Sequence, residues 1–268
     1  MRNMTQRNAI VCLTRGYSEL SSYIPLIERN RSIYEVINRN REPQYPLIIW
    51  HEGNIPTEHQ LYIFAHELND NVRFVDISRI FRLPRTIKEQ DLAERWSVGY
   101  RLMCRFHSYY IWQYTKAFDY VMRLDEDCIL LSSTDDPFEL ISESEGDFAA
   151  PFFTAESHRL TNRTLSAFVQ NFVALRPGTL ANPYNQVFPY TNCYVTRTAF
   201  WRQTEVQQFL EAIRRNPDSL RFRWGDLPVL GVALNMFAAP DKVHRFSELG
   251  YWHGSHNVTV SPDNTLLA

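Results

Sequence analysis

The chain has 268 residues, of which 22% are charged and 44% hydrophobic, and its formal net charge is −2. A chain of this length buries a sizeable core without disulfide staples, and the composition excludes a disordered or fibrous protein. The charge balance argues against a dedicated nucleic-acid binder. No apolar run approaches the roughly 18 residues that cross a bilayer, and the start of the chain has no apolar signal-peptide segment. The sequence as written therefore reads as soluble and cytoplasmic.

In chain order, residues 9–13 predict a short buried strand, and a helical stretch follows from Ser18 through Ile24, Ile27 and Ile33. Residues 45–50 predict a second strand, 58–68 a helix and 72–76 a third strand. Alternating strand and helix is the pattern of an open, mostly parallel sheet. Residues 97–115 predict a long amphipathic helix, and 118–124 a strand that runs into Asp125-Glu-Asp127. Beyond Phe148 the signals are shorter and mixed, with helices predicted at 203–215 and 227–237 and an irregular tail after His256. No linker divides the chain, so one domain over 1–268 is expected, with a nucleotide-binding half at about 9–130 and an acceptor-side half at about 131–256.

The four cysteines, at 12, 104, 128 and 193, form no Cys-x-x-Cys pair, so a zinc site is not expected and free buried thiols are. Aromatic residues make up 14% of the chain, which reads as a large aromatic core or, more sharply, as faces for stacking on sugar rings. Asn-x-Ser/Thr sequons begin at Asn3, Asn30, Asn162 and Asn257, a yield that chance accounts for.

The acidic stretch at the end of the fourth strand carries the most information. Asp125 and Asp127 stand at i and i+2, so in extended backbone they point to the same side. Two neighbouring carboxylates repel, and a hard divalent ion with oxygen ligands is the usual remedy. Carboxyl ends of strands in open α/β sheets are also where ligands bind. Together these features suggest a metal-bridged nucleoside diphosphate, against the plainer reading of an acidic surface turn. Arg101 and Arg105, four apart on one helix face, call for an anion between them or form a solvated basic face. Arg15 follows the first strand, where a nucleotide would sit.

Four blocks follow one another in order: Tyr100-Arg-Leu-Met-Cys-Arg-Phe106, Arg123-Leu-Asp-Glu-Asp127, Phe222-Arg-Trp-Gly-Asp-Leu-Pro-Val229 and Leu249-Gly-Tyr-Trp-His253. With the opening Val11-Cys-Leu-Thr-Arg-Gly-Tyr-Ser-Glu-Leu20, the chain resembles the fungal Kre2/Mnt1-type α-1,2-mannosyltransferases. The resemblance implies a GT-A-like α/β fold, an open mixed, mostly parallel sheet flanked by helices. It also implies a retaining glycosyltransferase that uses Mn²⁺ (or Mg²⁺) and a nucleoside-diphosphate sugar, GDP-mannose in the family, with a glycan acceptor. Asp125 and Asp127 fall on the acidic metal and diphosphate motif, His253 on the family's metal-ligating histidine, and Tyr100, Arg101 and Arg105, with Arg15, near the donor. Glu126 stands where the family usually has proline and is expected to face away. Asp226 falls near the acceptor or the reacting carbon and shares the catalytic role with Asp127; it also fits a helix N-cap, and the two roles are compatible. Trp224, Trp252 and Tyr194 are candidates for the acceptor side.

Tyr194 also stands where the family has a glutamate discussed as a nucleophile, so no nucleophile is assigned; front-face displacement needs none. Replacing Asp127 by alanine is expected to abolish turnover and to relieve repulsion in the empty site. A Golgi lumenal location applies if an anchor precedes this chain. The rival readings are a non-catalytic carbohydrate-binding protein on a decayed transferase fold, a transferase using a UDP-sugar, and a metal-dependent nucleotidyltransferase. The last should show a Gly-rich, Lys-bearing loop after the first strand, which is missing.

Overall fold

The computed structural model describes residues 7–93, 96–176 and 187–261, and the backbone at 266–267. β1 (Asn8–Thr14) opens the chain, followed by α1 (Ile24–Ile33), β2 (Leu47–His51), α2 (Thr57–Phe64) and β3 (Val72–Asp76). α3 (Val98–Arg105) continues through one wide turn at 106–110 into α4 (Ile111–Tyr114) and reaches β4 (Tyr120–Leu124). The expected helix at 97–115 is thus present but is interrupted by a π-type turn. Next come β5 (Cys128–Ser133), α5 (Pro137–Glu143), β6 (Phe148–Ala150), β7 (Phe153–Ala155) and α6 (Arg159–Ala174). β8 (Val187–Pro189), β9 (Cys193–Arg197), α7 (Thr198–Trp201), α8 (Thr204–Arg215), α9 (Asp218–Arg221) and α10 (Asp226–Phe237) follow. The chain ends in β10 (Val243–Arg245), β11 (Leu249–His253), β12 (Val258–Val260) and β13 (Leu266–Leu267).

The main sheet has seven strands in the order β10-β6-β9-β4-β1-β2-β3. Only β9 runs against its neighbours, so the sheet is mixed and mostly parallel, and it takes strands from both halves of the chain. Because side chains alternate along a strand, β1 serves two cores at once. Ala9 and Val11 join one cluster with Trp50, Trp112, Trp201 and Leu230, while Ile10 joins another with Leu47, Met122 and Val195. The rings of Trp112 and Trp201 stack 4.3 Å apart.

Most of the aromatic excess is spent here: Trp50, Trp112, Trp201 and Trp224 are all buried. The four cysteines are free and buried. The sequon at Asn3 lies outside the described residues. Among the described residues no helix is long and apolar enough to cross a membrane.

A second sheet, β13-β12-β11-β5, is antiparallel. The tail after His256 therefore contributes strands where the sequence reads as irregular. α6, a 16-residue helix, was likewise hidden among the mixed signals beyond Phe148. The step from β4 to β5 carries the chain from one sheet to the other, and the three residues that make it are Asp125, Glu126 and Asp127. Their backbone is clamped on both sides. The Asp125 amide donates to the Asn192 carbonyl at 2.9 Å, the Cys128 amide to the Asp125 carbonyl at 3.1 Å, and the Gly254 amide to the Asp127 carbonyl at 2.9 Å.

Candidate active site

A cavity of about 420 Å³ opens where the two sheets meet, and the residues around it come from the 125–127 turn, the run into β9, the start of α10 and the end of β11. Because 125–127 is a tight turn rather than extended strand, the acids do not share one environment. Asp125 and Asp127 face this cavity, and Glu126 faces a second one.

Asp127 meets His253, which the period-two alternation of β11 turns into the cavity. Asp127 Oδ1 lies 3.5 Å from His253 Nε2, and the Ser255 amide donates to Asp127 Oδ2 at 2.8 Å. Burial opposes ionisation of Asp127, but His253 and Ser255 outweigh it and hold the carboxyl well below its usual range. With Cys128 Sγ, these ligand atoms lie within 4.8 Å of one another. The Cys128 thiol points at the Asn192 carbonyl at 3.9 Å, and its soft sulfur is the least suited of the three to a hard ion. What remains is an oxygen and an imidazole nitrogen, separated by a span that two donors at roughly 2.0–2.2 Å from one ion can bridge. That donor set suits a hard or borderline divalent ion such as Mn²⁺.

Asp125, expected beside them, is committed elsewhere. Arg123 Nε donates to its Oδ1 at 2.6 Å and Nη2 to its Oδ2 at 3.0 Å, while Nη1 donates to Asp226 Oδ2. Arg123 is 2% exposed and bridges two acids, one from the 125–127 turn and one from the start of α10. Burial raises Asp125 despite Arg123; for Asp226 burial also acts upward, but Arg123 overcomes it and the carboxyl sits below its usual range. Asp226 is not the helix cap: Gly225 holds that position, and Asp226 opens the first turn with its side chain on Arg123. The repulsion foreseen between Asp125 and Asp127 is thus answered by separate protein cations and donors.

The opposite wall is built on Arg223, which has φ +53°, a left-handed backbone that few non-glycine residues adopt. Its guanidinium donates to Glu156 Oε2 at 2.9 Å and to the Tyr100 hydroxyl at 3.1 Å, and it packs over the Trp96 ring. Asn192 presents a buried side-chain amide nitrogen with no partner among the described residues, an unused donor at a wall of the cavity.

The second cavity, of about 350 Å³, lies at the carboxyl ends of β1 and β2 and includes Thr14, Arg15, Glu52 and Glu126. Glu126 faces away from the first cavity, as expected, but not into solvent: the hydroxyls of Thr14 and Tyr17 both donate to it. Gly16 is required here, since a Cβ would fall 1.8 Å from the Asn54 carbonyl oxygen. Tyr100 and Met103 line both cavities, so the two adjoin across one wall.

Several predicted site residues are placed elsewhere. Arg101 is buried and spends its guanidinium on the backbone carbonyls of Ala93, Trp96, Leu220 and Arg221, which explains its spacing from Arg105 without an anion. Arg105 donates to the Arg214 carbonyl at 2.8 Å and faces away from both cavities. Trp224 lies in the core with its indole N–H on Thr164, and Tyr194 is fully buried, so neither offers a face to a sugar. Trp252 alternates with His253 and points to the other side of β11.

Sequence reading missed Arg123, Glu156, Asn192 and Arg223. A cation inside an apolar strand was the available signal for Arg123. Arg223 sits inside a quoted block, and Glu156 carried no signal.

The sequence pattern of the glycolipid 2-alpha-mannosyltransferase family matches residues 52–267. Glycolipid 2-alpha-mannosyltransferase 1 of Candida albicans is 26% identical over 217 residues, 75% of this chain and 48% of that protein. The chain spans about half the length of the curated relatives it matches. Among solved structures, the mannosyltransferase Ktr4p of S. cerevisiae in complex with GDP superposes with a TM-score of 0.81 at 20% identity, covering 93% of this chain and 71% of that one. Core-mannan synthase A of Aspergillus fumigatus in its Mn/GDP form also gives 0.81, at 17% identity, covering 100% of this chain and 80% of that one. These two share the fold.

Proposed function

We propose, from the premise that the chain belongs to the glycolipid 2-alpha-mannosyltransferase family, that it transfers mannose from GDP-mannose to a hydroxyl of a glycan, with retention and with a divalent cation. The observation that carries this reading is the acidic turn straddling two adjoining cavities, one for the nucleoside and one for the diphosphate and sugar. Solved relatives bind GDP, or GDP with Mn, on the same fold. Asp127 and His253 would hold the metal; when bound it offsets the charge that grows on the departing diphosphate.

The protein's own groups do the rest. Arg223 donates to the Tyr100 hydroxyl, so that hydroxyl's proton is free to donate to a phosphate oxygen. Arg123 keeps Asp226 ionised, and its negative charge suits the positive charge developing at the anomeric carbon. Among the described residues lining the cavity there are four carboxylates, Asp125, Asp127, Glu156 and Asp226, and each is held by a cation, a histidine or backbone donors. No side chain is assigned as a nucleophile, and direct displacement on one face needs none. The bond from the anomeric carbon to the diphosphate oxygen breaks, that to the acceptor oxygen forms, and the acceptor's proton passes to the diphosphate.

The test is release of nucleoside diphosphate from GDP-mannose and from UDP-sugars, with a mannoside acceptor, in Mn²⁺ and then in EDTA. GDP-mannose should turn over, chelation should stop it, and Mn²⁺ should restore it. Turnover that survives EDTA removes the metal from the account. Sugar binding without turnover of any donor favours a carbohydrate-binding protein instead.

A further inference from the structure

We infer that Glu52 selects a guanine base in the second cavity, an inference that rests on the donor reading above. The cavity has two carboxylates, and they differ in how they are occupied. Glu126 accepts one hydrogen bond on each oxygen, from Thr14 and Tyr17, which ties it to the wall. Glu52 follows the last residue of β2, is half-buried, lines the same space, and makes no hydrogen bond among the described residues. Arg15 neighbours both acids and keeps the cavity from being purely negative. Burial raises the Glu52 carboxyl, and Arg15 opposes that rise.

An ionised carboxylate only accepts hydrogen bonds. The Watson–Crick edge of guanine presents two adjacent donors, N1–H and the 2-amino group, spaced for its two oxygens. Uracil offers one N–H between two carbonyl oxygens, and adenine puts an unprotonated ring nitrogen there; both would set lone pairs against the carboxylate. A site built to receive donors rejects a base that lacks them more strongly than an apolar pocket does. Tyr100 and Met103 line both cavities, so a base held here lies beside the cavity that Asp127 and His253 face.

Isothermal titration of the full chain with GDP, IDP and UDP in MnCl₂ tests this. IDP keeps the N1–H but lacks the 2-amino group. Wild type should bind GDP at least tenfold more tightly than UDP, with IDP between them. Glu52→Gln should weaken GDP at least tenfold and leave UDP within twofold, because the amide puts a donor against the base's donors. Thermal melting checks the fold of the variant; if it fails to fold, Glu52→Asp, which keeps the charge one methylene short, should narrow the GDP preference. GDP and UDP bound alike by wild type, or weakened alike by Glu52→Gln, would overturn the role of Glu52 and leave the donor reading standing. No binding of any nucleoside diphosphate would defeat the donor reading itself.

Discussion

Replacing Arg123 by methionine separates the charge network from everything around it. The side chain is 3% exposed and pairs with Asp226, 9% exposed, and Asp125, 26% exposed. Methionine fills most of the volume but leaves two carboxylates without a counter-ion. Breaking a buried pair from one side costs about 3–5 kcal/mol. Most of that should come from Asp226, since Asp125 keeps partial contact with water. At about 2–4 °C per kcal/mol for a chain near this size, the melting temperature should fall by roughly 6–20 °C at pH 7.

The pH dependence has a definite sign. In wild type, Asp226 is held below its unfolded value, so its contribution is present above that value and is lost as pH falls through the lower folded one. In the variant, Asp226 loses its main opposition to burial, with only His107 and Thr191 left to lower it, and Asp125, already raised in wild type, rises further. Their penalty is full at neutral pH and shrinks as pH falls through the raised values. Urea unfolding at pH 7.5 and pH 5 should therefore show a smaller gap at pH 5, and adding Asp226→Asn should recover part of the loss at pH 7.5. A deficit below about 1 kcal/mol, or one that ignores pH, would refute the account of Arg123 as a buried clamp.

Asp127→Ala should abolish turnover, but contrary to a simple repulsion argument it should leave the metal-free protein about 1 kcal/mol less stable, because His253 and Ser255 lose their partner; unfolding at pH 7 decides the sign, and the deficit should close as pH drops below the usual carboxylate range. Tyr194→Phe removes a buried hydroxyl that lies beside Arg123 with no well-aligned hydrogen-bond partner among the described residues, so stability should change by less than about 0.5 kcal/mol and kcat by less than about twofold; a large fall in kcat would return Tyr194 to the reaction. Gly231→Ala sets a Cβ 2.1 Å from the Phe188 ring inside α10, and overpacking there should lower stability by about 1–3 kcal/mol, read by thermal melting.

The strands and helices of the first half were legible because each carries a clean period: β3 lies where its apolar run predicts, and β1 and β2 shift by a residue or two. The family was legible from four short blocks. The site was legible in part. Asp127, His253, Tyr100 and Asp226 were named from those blocks and do converge, but Arg101 and Trp224 stand in the same blocks and serve the core. A quoted motif holds binding and packing residues side by side, and linear spacing does not separate them.

What the order of residues determined by itself was which segments become strands, that the chain ends a strand in three acids, and which family it joins. These follow from local periodicity and residue chemistry. Only the tertiary structure decided where each charge goes. Arg123 meets Asp226 across 103 positions, and Asp127 lies beside Ser255 across 128. Such pairings depend on two sheets meeting at one turn, a long-range arrangement that no local pattern encodes.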